Sequence, residues 1–99
     1  MKVNVHAVNF NIDRKLIDFI QERLDKTEKY YDRVVSSDVF LKLENTSDKE
    51  NKTVEIKILV PGDEFIVKKT NKTFEEAADL AADSLERLLV KRKEKLSSH

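Results

Sequence analysis

Residues 73–96 constrain the fold most strongly, because they have the pattern of one long amphipathic helix. Thr73 and Glu76 fit a capping box, in which the threonine hydroxyl accepts from the backbone at the third helical position and the carboxylate reaches back. Behind this cap, apolar residues recur at helical spacing: Phe74, Ala77, Ala78, Ala81, Leu85, Leu88, Leu89 and Leu96. They form a single stripe, which predicts a helix that packs with one side against the rest of the domain.

The charged residues beside this stripe are sorted by sign. On a helical wheel of about 100° per residue, three cations lie on one flank and three carboxylates lie on the far side. The cations are Arg87, Lys91 and Lys95, and the carboxylates are Asp79, Asp83 and Glu86. The whole chain has 19 basic and 19 acidic residues, which argues against a general nucleic-acid binder because such proteins are usually basic overall. A local basic face can nevertheless attract a polyanion.

A second amphipathic helix is predicted over residues 13–33, with Asp13 as its N-cap. Its apolar stripe comprises Leu16, Ile17, Ile20, Leu24, Thr27 and Tyr31. Cations again share one side of the helix, within a sector of about 60° that Glu22 interrupts. They are Lys15, Lys26, Lys29 and Arg33. Tyr30 or Tyr31 could stack on an unpaired RNA base, although Tyr31 lies within the apolar stripe, where a core position is favoured.

Four segments alternate apolar and polar residues as half-buried strands do: 2–8, 39–44, 54–60 and 64–70. The polar run 45–52 predicts a loop, and Pro61, Gly62 and Asp63 predict a turn between the last two strands. The element order is therefore β-α-β-β-β-α. Because each strand has one apolar face, we predict an α+β fold in which both helices pack on one face of a single four-stranded sheet, with the first two strands parallel.

The other face of this sheet is predicted to meet water. It carries the polar residues Asn4, His6, Lys42, Glu55 and Lys57. Phe40, Leu59 and Ile66 share this outer register. Scattered apolar residues are ordinary on a protein surface, whereas a cluster of them would form a contact surface.

The composition excludes several classes of protein. Ninety-nine residues without a linker predict one domain, residues 1–99, and the absence of cysteine excludes a disulfide framework and a thiol nucleophile. No apolar run approaches the length of a membrane span, and the first residues lack the apolar core of a signal peptide. We therefore expect a cytoplasmic protein.

No catalytic chemistry is recognisable in the sequence. His6 has no predictable partner, and the one glycine belongs to a turn and not to a phosphate-binding loop. The acidic pairs Glu75-Glu76 and Asp79-Asp83 could bind a cation, but neighbouring carboxylates on an exposed helical face are usually solvated charge. We therefore expect no enzyme activity, no cofactor, no metal site and no small-molecule substrate.

Four segments together resemble the bacterial ribosome hibernation-promoting factor family, also called ribosome-associated inhibitor proteins. They are KVNV at 2–5, LDKTEKYYDR at 24–33, VFLKLE at 39–44 and ADSLERLLVKRKEKL at 82–96. The resemblance extends over almost the whole chain and ends where the short form of the family ends, without the C-terminal dimerisation domain of the long form. It implies a layout similar to double-stranded RNA-binding domains. It also implies a translational inhibitor that occupies the mRNA and tRNA channel of the small ribosomal subunit and stabilises inactive ribosomes in stress or stationary phase.

The resemblance assigns ribosomal RNA contacts to eight basic residues: Lys26, Lys29, Arg33, Arg87, Lys91, Arg92, Lys93 and Lys95. The implied partners are the small ribosomal subunit, its ribosomal RNA and a second factor that dimerises ribosomes, with no membrane. Ser84 and Ser97 occupy positions that are commonly basic in the family, and Lys68 and Lys69 could compensate from the fourth strand.

A protein-interaction scaffold is the alternative function. It would use Phe40, Leu59 and Ile66 on the exposed sheet face and would bind no RNA. The two functions are discriminated by whether the basic flanks of the two helices meet on one surface, which depends on how the helices are rotated against each other.

Overall fold

The computed structural model describes residues 1–44, 47 and 49–97, with Ser97 described by its backbone alone. Its elements are β1 (Val3–Ala7), α1 (Arg14–Thr27), a 3₁₀ turn (Glu28–Tyr30), β2 (Ser36–Leu43), β3 (Lys52–Val60), β4 (Asp63–Asn71) and α2 (Phe74–Ser97). The predicted α+β class and the order β-α-β-β-β-α are confirmed. Of the predicted loop 45–52, Asn45, Thr46 and Asp48 lie outside the described residues, and Lys52 belongs to β3.

One sheet with the order β1-β2-β3-β4 forms the base of the fold. β1 pairs with β2 in parallel, as predicted, and the other neighbours are antiparallel. The register aligns Val5 with Val39, Val39 with Ile56, and Ile56 with Val67, so one apolar row crosses the sheet. The residues of this row share one face of the sheet, because successive side chains along a strand point to opposite faces. That face is the one that the helices cover.

Both helices cover that same face and contact each other. The enclosed core consists of Ile20, Leu24, Tyr31, Val39, Leu41, Val54, Ile56, Ile58, Val60, Val67, Ala77, Ala78, Ala81, Ala82, Leu85 and Leu89. Alanines line much of the α2 side of this core, so the helix backbone can approach the sheet closely. The prediction that both helices pack on one face is confirmed.

The β3–β4 turn is tighter than predicted, because Val60 already pairs with Asp63 and leaves Pro61 and Gly62 as the loop. Gly62 has a φ of +79°. Proline presets φ at the first loop position and glycine tolerates positive φ at the second, so the two residues suit this connection.

Both predicted N-caps are present. The Asp13 Oδ1 atom accepts from the backbone N–H of Leu16 at 2.8 Å, and the Thr73 hydroxyl accepts from the backbone N–H of Glu76 at 3.1 Å. Each cap satisfies a donor that has no partner within its own helix.

The predicted end of the first helix was wrong. α1 ends at Thr27, and after the 3₁₀ turn the backbone of Tyr31 is extended, with a φ of −161°. Tightening into a 3₁₀ turn is common at helix ends, and here it directs the Tyr31 side chain, 5% exposed, into the core. Arg33 therefore lies outside the helix, and its predicted place on the helical wheel does not apply.

A network of charges around Arg23 joins the two helices. Its guanidinium donates from Nε to Asp79 Oδ1 at 2.9 Å, from Nη2 to Asp83 Oδ1 at 2.9 Å and from Nη1 to Glu86 Oε2 at 2.6 Å. Thr27, fully buried, donates to the same Glu86 oxygen at 2.8 Å. The hydrogen bond that Arg23 donates to Glu86 raises the pKa of Arg23 above its usual value.

The Asp79-Asp83 pair was expected to be solvated charge, but both carboxylates are bonded by Arg23. Asp79, Asp83 and Glu86 recur at i, i+4 and i+7, so they form a row on one side of α2. The row faces α1, where Arg23 bonds all three. The ligand of the Asp79-Asp83 pair is thus a guanidinium from the same chain.

The first residue is also tied down. The Met1 amine donates to Glu28 Oε1 at 2.6 Å and lies 3.8 Å from Asp25 Oδ1. The hydrogen bond that the Met1 amine donates to Glu28 raises the pKa of this amine above its usual value. The contact links the start of β1 to the 3₁₀ turn that follows α1.

Replacing Arg23 by Met should lower the free energy of unfolding by about 3 kcal/mol, because Glu86 would lose its cation in a largely buried position. The Glu86 side chain is 12% exposed. Arg14→Met is the matched control, since the Arg14 side chain is 82% exposed in its pair with Asp18 and surface pairs contribute about 0.5 kcal/mol or less. Urea denaturation measures both variants, and an equal loss in the two would contradict the structural role of Arg23.

Candidate nucleic-acid interface

The two helices run parallel. Arg23 of α1 contacts residues 79–86 of α2, Tyr30 shares a groove with Arg87, and Arg33 shares another with Lys93. Because the contacts on both segments advance together along the chain, the C-terminal ends of both helices lie at one end of the domain. The β3–β4 turn lies there too, since Asp63 hydrogen-bonds α2 near its end.

This arrangement gathers the predicted basic residues. Six of them form what we call the basic end: Lys26, Lys29, Arg33, Arg87, Lys91 and Lys95. All six are exposed. Within the part of the chain that the structure describes, none of the six forms an ion pair. Lys26 and Lys95 lie in the last turns of α1 and α2, where the helix dipole favours cations. The other four are exposed to solvent, so they need no carboxylate partner.

Two of the residues predicted to contact RNA are not counted in the basic end. Lys93 is exposed and borders a groove of about 450 Å³ with Tyr31, Arg33 and Leu96, but it also has an interaction within the chain. Arg92 donates from Nη1 to Asp63 Oδ2 at 2.9 Å and from Nη2 to the Pro61 carbonyl at 2.7 Å. Arg92 therefore ties α2 to the β3–β4 turn.

A groove of about 590 Å³ runs between the 3₁₀ turn and α2. It is lined by Tyr30, Asp83, Glu86, Arg87, Val90, Lys91 and Glu94. On the other side of α2, a groove of about 460 Å³ separates the helix from β4 and includes Phe65, Leu88 and Lys95. Lys91 borders both grooves, so its ammonium group stands on the ridge between them.

The structure separates the two tyrosines that the sequence left as alternatives. Tyr31 is 5% exposed and belongs to the core, whereas Tyr30 is 47% exposed. Only the Tyr30 ring is available to a ligand at the basic end.

The two lysines of the fourth strand point to opposite sides of the sheet. Lys68 aligns with Glu55 on the outer face, and Lys69 aligns with the buried Val54 on the helix side. Because side chains alternate along a strand, they cannot compensate together for Ser84 at one RNA surface.

The outer sheet face is divided by polar contacts. Phe40 stacks on His6 with ring centroids 5.0 Å apart. Lys57, which aligns with Ile66, lies 3.5 Å from Glu64. Leu59 and Ile66 are diagonal neighbours across β3 and β4. Phe40 aligns with Glu55 on β3, so the charged side chains Glu55 and Lys57 lie between Phe40 and the other two. The three residues of the alternative function therefore do not form one continuous apolar patch.

Sequence reasoning missed the role of Arg23. The signal was present, because a single arginine flanks the apolar stripe of α1 and a row of three carboxylates flanks that of α2. Recognising the pair required knowing that these two flanks face each other.

Within the described residues, no group of three or more histidine, cysteine, aspartate or glutamate side chains is arranged to hold a metal ion. None of the described helices combines the length and the apolar character needed to cross a membrane.

The chain is similar to proteins associated with the ribosome. The model of the family described as sigma 54 modulation protein / S30EA ribosomal protein matches residues 3–97. The chain is 31% identical over 98 residues to a ribosome hibernation promoting factor of Pseudomonas putida, with 99% of this chain and 92% of that protein covered. It is 29% identical over 99 residues to the protein of the same name from Escherichia coli, with both chains covered completely.

The fold is also that of a solved ribosomal subunit interface protein from Coxiella burnetii. The TM-score is 0.83 and the sequence identity is 18%, with 94% of this chain and 98% of that chain covered. This chain belongs to the sigma 54 modulation protein / S30EA ribosomal protein family, which confirms the resemblance found in the sequence. The family assignment also confirms the prediction that the chain is not an enzyme.

Substitution of Arg92 should separate its structural role from that of its neighbour. Arg92→Ala should lower the free energy of unfolding by about 1–2 kcal/mol, because two hydrogen bonds to the β3–β4 turn are lost. Lys91→Ala, one residue away on the same helix, should change it by no more than about 0.5 kcal/mol. Thermal or urea denaturation measures both, and a fully stable Arg92→Ala variant would argue that Arg92 is available for RNA.

Proposed function

We propose that this chain binds the small ribosomal subunit through ribosomal RNA contacts at the basic end. One observation carries the proposal: six exposed cations, without an ion pair among the described residues, lie at one end of a protein with no formal net charge. Membership of a family whose curated relatives are named ribosome hibernation promoting factors supports the ribosome as the partner.

The physical basis is counterion release. Lysine and arginine side chains that neutralise RNA phosphates release condensed cations, and this entropy drives binding. A cation already paired with a carboxylate gains less, because a favourable interaction must first be broken. The basic end is suited to this role because its side chains are exposed and unpaired. Arg92 is proposed as a positioning residue that holds the last turns of α2.

We propose further that the bound protein occupies the channel of the small subunit that mRNA and tRNA would use. Inhibition then follows from excluded volume and needs no reaction. The ribosome is held in an inactive state during stress, in the cytoplasm, and no cofactor is required. Reversibility follows as well, since nothing covalent is formed.

Reversing two charges of the basic end should weaken binding and reduce its salt dependence. For Lys91→Glu with Lys95→Glu, we expect at least a tenfold loss of affinity for small subunits. The slope of log affinity against log salt should become shallower by about two, one unit for each lost phosphate contact. Both residues are exposed, so circular dichroism should remain native. Sedimentation with purified small subunits across a salt series measures the effect.

Lys49→Glu with Lys72→Glu is the matched control. It changes the net charge equally, but both exposed residues lie at the other end of the domain, where β3 begins and β4 ends. Equal weakening by the two double variants would indicate a general charge effect and would remove the basic end from the interface.

Channel occupancy predicts mutual exclusion with the ligands of translation. Labelled protein on small subunits should be displaced by initiator tRNA and a short mRNA, and the protein should weaken their binding by the same factor, because coupling is reciprocal. Retention of the protein at saturating RNA would contradict the channel position. A scaffold that uses the outer sheet face would tolerate both RNAs and lose its partner on Ile66→Lys.

A further inference from the structure

Tyr30 is an exposed aromatic residue on a rigid support. Its neighbours on both sides of the 3₁₀ turn are anchored, since Thr27 is fully buried and Tyr31 is 5% exposed. The backbone N–H of Tyr31 also donates to the Glu28 carbonyl at 3.2 Å. The Tyr30 ring is thus held at the surface by a backbone that has little freedom to withdraw it.

The Tyr30 ring has no partner ring. In the described part of the chain, the stacked pairs are His6 with Phe40 and Phe10 with Phe74. Leaving a large aromatic face 47% exposed has a cost in apolar hydration, which binding would recover. Base stacking on an aromatic side chain recovers it in a way that every nucleobase can provide.

The groove in front of the ring has a size and an apolar wall that suit a nucleotide. Its volume of about 590 Å³ is in the range of roughly 300–1,000 Å³ that small-molecule sites have. Val90 adds an apolar surface opposite the turn. The volume of the site is therefore sufficient for one nucleotide.

Charge gives the nucleotide an orientation. Arg87 and Lys91 border the groove, form no ion pair within the described residues and are separated by about 6 Å along the axis of α2. They can meet the phosphates on either side of one base. Asp83, Glu86 and Glu94 line the same groove. Arg23 bonds Asp83 and Glu86 and offsets part of their negative charge.

We propose that Tyr30 is the stacking platform for one unpaired nucleotide of RNA, whose flanking phosphates lie on Arg87 and Lys91. The nucleotide must be unpaired, since a base within a duplex is already stacked on both faces and cannot enter the groove. The inference rests on the proposed function and adds to it the kind of RNA feature that is recognised: a loop, a bulge or a single strand.

A tryptophan reporter tests the stacking directly. The chain contains no tryptophan, so Tyr30→Trp introduces a single indole at the site. Two probes are compared with the full chain: an eight-nucleotide single-stranded RNA and a blunt RNA duplex of the same length. We expect the single strand to quench the fluorescence and the duplex to leave it nearly unchanged. Equal quenching by both probes would overturn the requirement for an unpaired base.

Affinity for purified small subunits gives a second readout. Tyr30→Ala should weaken binding by about 5-fold to 150-fold, the range for losing one stacked base. Tyr30→Phe keeps the ring and should stay within about twofold of the unchanged chain. A loss with Tyr30→Phe as large as that with Tyr30→Ala would assign the effect to the hydroxyl group and overturn stacking.

The inference and the proposed function fail separately. If Tyr30→Ala binds small subunits normally while Lys91→Glu with Lys95→Glu binds poorly, the stacking platform is wrong and the basic end stands. If both variants bind normally, both proposals are wrong. Circular dichroism of Tyr30→Ala should remain native because the ring contributes little to the core, and a native spectrum with weakened binding supports the platform.

Discussion

The guanidinium of Arg23 is the contact on which the arrangement of the two helices depends. It bonds three carboxylates on successive turns of α2 and is supported by the buried hydroxyl of Thr27. Apolar stripes alone would allow α2 to roll or slide over the sheet, since alanine-rich surfaces pack in several ways. The bonds from Arg23 to three fixed acceptors prevent such movement, because a shift of one turn would leave Glu86 buried without its cation. The network therefore specifies the register as well as contributing to stability.

The parallel orientation of the helices follows from the strand order, because each helix follows one of two strands that run in the same direction, β1 and β4. This orientation determines where the cations of the basic end lie. Both helices end beside the β3–β4 turn, and the negative end of each helix dipole favours cations there. The exposed cations of the basic end therefore need no carboxylate partners. A protein without formal net charge can in this way present one strongly basic surface, because its acidic residues are engaged elsewhere in ion pairs such as those of Arg23.

Two of the arginines, Arg23 and Arg92, differ in role from the lysines of the basic end. Arg23 and Arg92 each bond more than one acceptor in the protein, which suits the planar fork of a guanidinium. The lysines of the basic end are exposed point charges on flexible stems. Such side chains can follow phosphates whose positions vary, whereas the two bonded arginines are too constrained to do so. The rigid element of the surface is instead the ring of Tyr30, which is held by its buried neighbours.

The sequence by itself determined the element order, the strand faces, both N-caps and most of the core, because the periods of two and 3.6 residues depend on local geometry alone. Leu96, which belongs to the predicted stripe of α2, is 50% exposed. The sequence also determined which residues are basic. Only the tertiary structure decided that Arg92 is bonded within the protein, because its acceptors lie in the β3–β4 turn, 29 and 31 residues away in the chain. It likewise decided that Tyr31 is buried and Tyr30 exposed, since the helix ends at Thr27 for reasons of packing. The meeting of the two basic flanks was unreadable for the same reason: it depends on the contact between Arg23 and carboxylates more than fifty residues away, and long-range pairing leaves no mark on local periodicity.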